Sequence, residues 1–136
     1  MGALRLAKKF EMNTFLSDAK PIAKENQAEM HQLGSAFEEN GHSLEKLLMY
    51  DLIVKSPGIP DTAQIILSLK EAGKPVISEI EFAYHFTDAK IVGITGSNGK
   101  TTTTLLTTHL LKCAGLNVAS AGNLGNSFSD LLVNDT

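Results

Sequence analysis

One cysteine stands in this 136-residue chain, Cys113. A lone thiol excludes an intrachain disulfide framework and any zinc site built from cysteines. Spaced with Leu106 and Leu110 along a predicted helix, Cys113 is expected to be a small buried side chain rather than a nucleophile. Long hydrophobic runs are missing too, and nothing approaches the roughly 20 apolar residues of a membrane-spanning helix. The first ten residues mix Arg5, Lys8 and Lys9 with apolar ones, which excludes a secretory signal. Residue 6 is leucine, where a myristoylation signal wants serine or threonine. Cytoplasm is the expected location. Basic clusters are absent as well: 12 Lys and Arg against 15 Asp and Glu give a net charge of −3. Nucleic acid and membrane insertion are therefore not expected. His31, His42, His85 and His109 lack ligand-like clustering, so surface or packing roles are expected for all four.

What is present is a phosphate-binding pattern. An apolar run from Ala89 leads into Ile94-Thr95-Gly96-Ser97-Asn98-Gly99-Lys100-Thr101-Thr102. A strand emptying into a glycine loop, then Lys-Thr, then a helix, is how a nucleotide's phosphates are cradled. Glycines let backbone N–H groups turn inward, and the helix points its positive end at the anion. Lys100 would supply a mobile charge, and the Thr101 hydroxyl could ligate Mg²⁺. The usual spacing would need glycine at position 94, which is Ile94; the glycines fall at 93, 96 and 99. A plain glycine-rich turn with a surface lysine is the lesser reading.

Elements alternate along the chain. Residues 2–10 read as a helix with Leu4, Ala7 and Phe10 on one side, and 13–16 as a short strand ending at Ser17-Asp18. Pro21 opens a helix to about Leu33, stopped by Gly34. A weak strand follows at Ala36-Phe37, then a short helix opened by Ser43. Residues 51–55 read as a buried strand, stopped by Ser56-Pro57-Gly58-Ile59-Pro60. Asp61 or Thr62 can cap the next helix, which ends at Gly73. Strands are predicted again at 75–78, 91–95 and 117–119, with helices at 79–86, 100–114 and the far end. This order predicts an α/β fold with a parallel sheet covered on both faces. The boundary is expected near Thr87-Asp88-Ala89-Lys90. It separates a Rossmann-like unit (1–88), lacking its first strand, from the start of a P-loop-type α/β ATPase domain (89–136). Both ends predict a fragment: the chain opens on a helix, and Val133-Asn134-Asp135-Thr136 leads towards a strand that does not come.

Thr95-Gly96-Ser97-Asn98-Gly99-Lys100-Thr101 resembles the ATP loop of the Mur ligases, bacterial enzymes that add amino acids to the peptidoglycan precursor. Ser56-Pro57-Gly58-Ile59-Pro60, Ser78-Glu79-Ile80-Glu81 and Gly122-Asn123-Leu124-Gly125, in that order, are similar to the branch that adds D-glutamate. The resemblance covers essentially the whole chain. It implies a three-domain cytoplasmic enzyme, monomeric when complete, with ATP and Mg²⁺ as cofactors. Its substrates would be UDP-N-acetylmuramoyl-L-alanine and D-glutamate, joined through an acyl phosphate. On that pattern Gly96, Ser97, Asn98, Gly99, Lys100, Thr101, Thr102 and Thr103 surround the ATP phosphates. Lys100 is then the catalytic residue and Thr101 the metal ligand.

The same resemblance places Asp18 at the uracil end of the substrate, with Lys20 nearby, Ser56 and Gly58 at the uridine nucleotide, and Asn123 near the reaction centre. Each has a structural alternative. Asp18 could instead cap the helix before Pro21, Ser56-Pro57-Gly58 could be a turn alone, and Asn123 could fill a left-handed backbone position. The family's acidic Mg²⁺ ligand, its modified lysine and its glutamate-binding domain are not in the sequence. The chain alone is therefore expected to be inactive. The rival readings are a non-catalytic nucleotide-binding module, another Mur-type ligase, or a small phosphate-loop kinase.

Overall fold

A computed structural model describes residues 1–122 and 127–134. The elements run α1 (Gly2–Lys9), β1 (Phe15–Ser17), α2 (Lys24–Gln32), β2 (Ala36–Glu38), α3 (Leu44–Leu47), β3 (Ile53–Lys55), α4 (Gln64–Glu71), β4 (Val76–Ser78), α5 (Glu79–Tyr84), α6 (Lys100–Cys113) and α7 (Phe128–Asn134). The class is mixed α/β. Its strands form two parallel pairs rather than one sheet: β1 with β2, in register Leu16 to Phe37, and β3 with β4, in register Val54 to Ile77. A helix crosses over within each pair, as parallel neighbours require.

Local sequence explains where those crossover helices stop. Gly34 (φ +63°) and Gly73 (φ +75°) take the left-handed conformation just past α2 and α4. The next residues then bond back across the helix end, Ser35 N–H to Met30 O at 2.9 Å and Lys74 N–H to Leu69 O at 3.0 Å. Two otherwise unpaired carbonyls are satisfied in this way. At the start of α5, Ser78 Oγ accepts from Glu81 N–H at 3.1 Å. Asp61 and Thr62 do not cap α4. Ala63 takes that position without a side-chain bond, because the Asp61 carboxylate is held by Lys70 (2.9 Å) and Lys55 (3.5 Å).

Two clusters of buried side chains stand out among the described residues, and α1 contributes to both. Leu4 packs with Ile22 and Met30 against Leu16 and Phe37 of the first pair and Leu33 at the end of α2. Leu6 and Ala7 pack with Phe82 and Ala83 against Val54 and Ile77 of the second pair, and against Phe128, Leu132 and Val133 of α7. Phe86 joins the ends of α1 and α5, its ring centroid 4.5 Å from Phe10 and 5.0 Å from Phe82. Burying a leucine or methionine side chain completely contributes about 1.5–3 kcal/mol; Leu6, Met30 and Leu69 are the large apolar side chains so placed.

Three further expectations fail. Residues 91–95 and 117–119 are not strands. A strand needs a neighbour to take its N–H and C=O groups, and among the described residues neither segment pairs with another strand; Ile91 and Val92 are exposed. Cys113 is exposed rather than buried. The apolar spacing of Leu106, Leu110 and Cys113 on α6 is present, but none of that helix's residues is buried.

Candidate functional site

The parallel strands deliver the expected substrate residues to loops at their carboxyl ends, where open α/β sheets bind ligands. Asp18 follows β1 directly. Its Oδ1 accepts from Lys20 N–H at 2.9 Å, which closes a tight turn. Asp18 does not cap α2, whose N-cap is Ala23, so the capping alternative falls and both Asp18 and Lys20 stand exposed. The turn is fastened to the one after β2: Asp18 N–H donates to Glu38 O (3.1 Å), and Asp18 O accepts from Gly41 N–H (3.2 Å).

Three residues that sequence reasoning missed support this turn. Ser17 Oγ donates to Glu38 Oε1 at 2.8 Å and lies 2.7 Å from His42 Nδ1. Glu38 also accepts from Ser43 N–H (2.8 Å) and Lys46 Nζ (3.2 Å). Burial alone would raise the pKa of this carboxyl. The hydrogen bonds from Ser43, Ser17 and Lys46 outweigh it and bring the value down from 4.5 to about 2.

Ser56 and Gly58 lie in the loop after β3, both exposed. Lys55 braces that loop from beneath, donating to Ile59 O at 3.0 Å. A Cβ at Gly58 would meet nothing within 4 Å. Packing therefore does not demand glycine there, and the position opens onto free space. Two hollows elsewhere in the surface, one against Arg5, Lys8 and Glu29 and one against Phe15, Phe37 and Tyr50, are not lined by these loops.

The phosphate-loop residues are held by local bonds. Gly99 caps α6 in the left-handed conformation at φ +76°, with no side chain bonded to the helix end. Thr103 N–H donates to Gly99 O at 2.9 Å, the first turn of the helix. The N–H groups of Lys100, Thr101 and Thr102 precede that bond and lack helical acceptors, and no acidic residue sits in the first turn. The Lys100 ammonium folds back onto the carbonyls of Gly96 and Ser97. A glycine-capped helix start with free N–H groups, a lysine and threonines fits phosphate chemistry. Asn123 lies outside the described residues. Among those described, no group of histidine, cysteine and carboxylates could hold a metal, and no helix is long and apolar enough to cross a membrane.

Comparison with known proteins bears on the first of these regions most directly. The family model of the MurD N-terminal domain matches residues 3–65. That stretch holds the Asp18 turn, the Glu38 network and the Ser56–Gly58 loop. The likeness extends further along the chain. The UDP-N-acetylmuramoylalanine–D-glutamate ligase of Bacteroides fragilis is 52% identical over 128 residues, covering 94% of this chain and 29% of that enzyme. The enzyme of the same name from Cytophaga hutchinsonii is 47% identical over 137 residues, or 99% of this chain and 30% of that protein. Another from Geobacillus kaustophilus is 42% identical over 91% of this chain. The chain spans under a third of the length of these curated relatives.

Proposed function

We propose that this chain supplies the uridine-nucleotide site and the start of the ATP site of a ligase that joins D-glutamate to UDP-N-acetylmuramoyl-L-alanine. The observation that carries the reading is the 52% identity to such a ligase across 94% of the chain. Within it, residues 1–88 would hold the uridine end of the substrate through Asp18, Lys20, Ser56 and Gly58. Residues 89–136 would open the ATP-binding domain, with Asn123 near the reaction centre.

A carboxylate is a poor electrophile until one oxygen becomes a leaving group. In the proposed reaction that oxygen takes the γ-phosphoryl group of ATP, releasing ADP. The amine of D-glutamate then attacks the acyl carbon, the C–N bond forms and phosphate departs. The protein must hold several anionic oxygens close together, which falls to Lys100 and to the backbone N–H groups of residues 96–103. Mg²⁺, with Thr101 as one ligand, would screen the same phosphates.

Binding tests the reading on the chain itself. Titration with ATP and with UDP, followed by NMR, is expected to show two separate sites. Lys100→Ala removes a charge-assisted contact and should weaken ATP by about 10- to 100-fold while leaving UDP unchanged. Asp18→Asn should do the reverse. Binding of neither nucleotide, or equal loss of both in one variant, overturns the assignment.

A further inference from the structure

The turns after β1 and β2 form a single hydrogen-bonded unit, tied through Asp18 to Glu38 and Gly41. The protons inside it can be assigned. Glu38 receives bonds from Ser17, Ser43 and Lys46 and its side chain is 9% exposed, so it is ionised at neutral pH and can only accept. Ser17 has one hydroxyl proton, and it is donated in the hydrogen bond to Glu38. What Ser17 presents to His42, 2.7 Å away, is a lone pair. The hydrogen between them therefore belongs to Nδ1. A neutral His42 so held is the Nδ1–H tautomer, and Nε2, on the far side of the ring, is a bare acceptor. His42 is only half-buried and follows Gly41, the residue bonded to Asp18.

We infer that His42 Nε2 is a ligand contact of the Asp18 site, accepting a hydrogen bond from the imide N–H or a ribose hydroxyl of the uridine nucleotide. The inference rests on the uridine-nucleotide reading proposed above. The exposed Asp18 carboxylate in the neighbouring turn is a second acceptor. Two acceptors in adjoining turns suit a ligand portion that carries hydrogen-bond donors, which the single imide N–H of the base and the ribose hydroxyls offer and an ionised phosphate does not.

Two measurements test it. In the unaltered chain, ¹⁵N NMR of the His42 ring at about pH 9, well above the ordinary imidazole range, is expected to show hydrogen on Nδ1 and a bare Nε2; the Nε2–H tautomer there overturns the inference without any variant. His42→Asn keeps a donor towards Ser17 and removes the distal acceptor, so UDP binding should weaken by about 3- to 10-fold. The penalty should vanish for 3-methyluridine diphosphate if the imide is the donor, or for the 2′-deoxy nucleotide if the ribose is. An equal penalty on UDP and both analogues overturns direct contact, because a displaced loop weakens every uridine nucleotide alike. An unchanged UDP affinity overturns the inference and leaves the Asp18 site standing. No UDP binding by the unaltered chain overturns the proposed function, and this inference with it.

Discussion

Arg5 reaches 125 residues along the chain to Asp130, its Nη1 2.7 Å from Oδ1, and so fastens α7 onto α1. The same guanidinium grips Glu29 of α2 through Nη2, at 2.9 Å, and Nε. The Arg5 bond holds the Glu29 carboxyl below its ordinary pKa. At Asp130 burial pushes the other way, and the bonds from Arg5 and Ser127 outweigh it. The three side chains are a quarter to a third exposed, which screens the attraction. Arg5→Met should therefore cost only about 1–2 kcal/mol in urea unfolding, more than a surface pair because two carboxylates lose their partner together. A loss under about 0.3 kcal/mol would show that α7 is held by apolar packing alone.

The network around Glu38 makes stability depend on pH. Its carboxyl falls from 4.5 unfolded to about 2 folded. A depressed acid stabilises fully above its unfolded value and stops contributing as pH falls through the folded one. Unaltered chain and Glu38→Gln should thus differ most near neutral pH, and the gap should close between pH 4.5 and 2. Glu29, Asp61 and Asp130 titrate low in both proteins and cancel in the comparison. A gap between urea midpoints that stays constant from pH 7 to 3 would contradict the assigned ionisation.

How far this molecule could be read from its sequence divides by range. The glycines at 34 and 73 and the β-branched run at 53–54 act within a few residues, and the elements they mark stop within about two residues of expectation, although α2 starts at Lys24, three residues after Pro21. Residues 91–95 carry an equally good strand pattern, yet pattern is only half of a strand; the other half is a neighbour's backbone, which no local window contains. The site divides in the same way. Asp18 and Ser56-Pro57-Gly58 announce themselves as turn chemistry. Ser17, Glu38 and His42 meet over separations of 21 and 25 residues. The one signal available was position, since Glu38 directly follows the strand predicted at Ala36-Phe37, and Gly41 and His42 follow in the loop at its carboxyl end.

Leu6 is the side chain through which α1 serves the second buried cluster, fully buried among Phe82, Ala83 and the apolar face of α7. Leu6→Ala removes three carbons and leaves a cavity that several elements would have to collapse to fill. A loss of about 3 kcal/mol is expected, with the denaturant slope unchanged. A loss below about 1 kcal/mol would mean that α1 repacks freely.

Ser129 presents the opposite case, a buried side chain whose removal should do no harm. Its backbone N–H donates to Glu79 Oε1 at 2.7 Å, joining α7 to α5. Its hydroxyl, in a residue with no exposed surface, has no hydrogen-bond partner among the described residues. A hydroxyl taken out of water without a partner costs about 1–3 kcal/mol. Alanine keeps the backbone bond, has the better helix propensity and sheds that cost, at the expense of a void the size of one oxygen atom. Ser129→Ala is accordingly expected to leave stability unchanged or raise it by about 1 kcal/mol, read from urea unfolding. Ser129→Val should lower it, because the added methyl groups must fit where no space is free. If alanine instead cost more than about 1 kcal/mol, the hydroxyl would have to be bonded, and the contact of α7 with α5 would owe as much to that bond as to the apolar packing around Phe128 and Leu132.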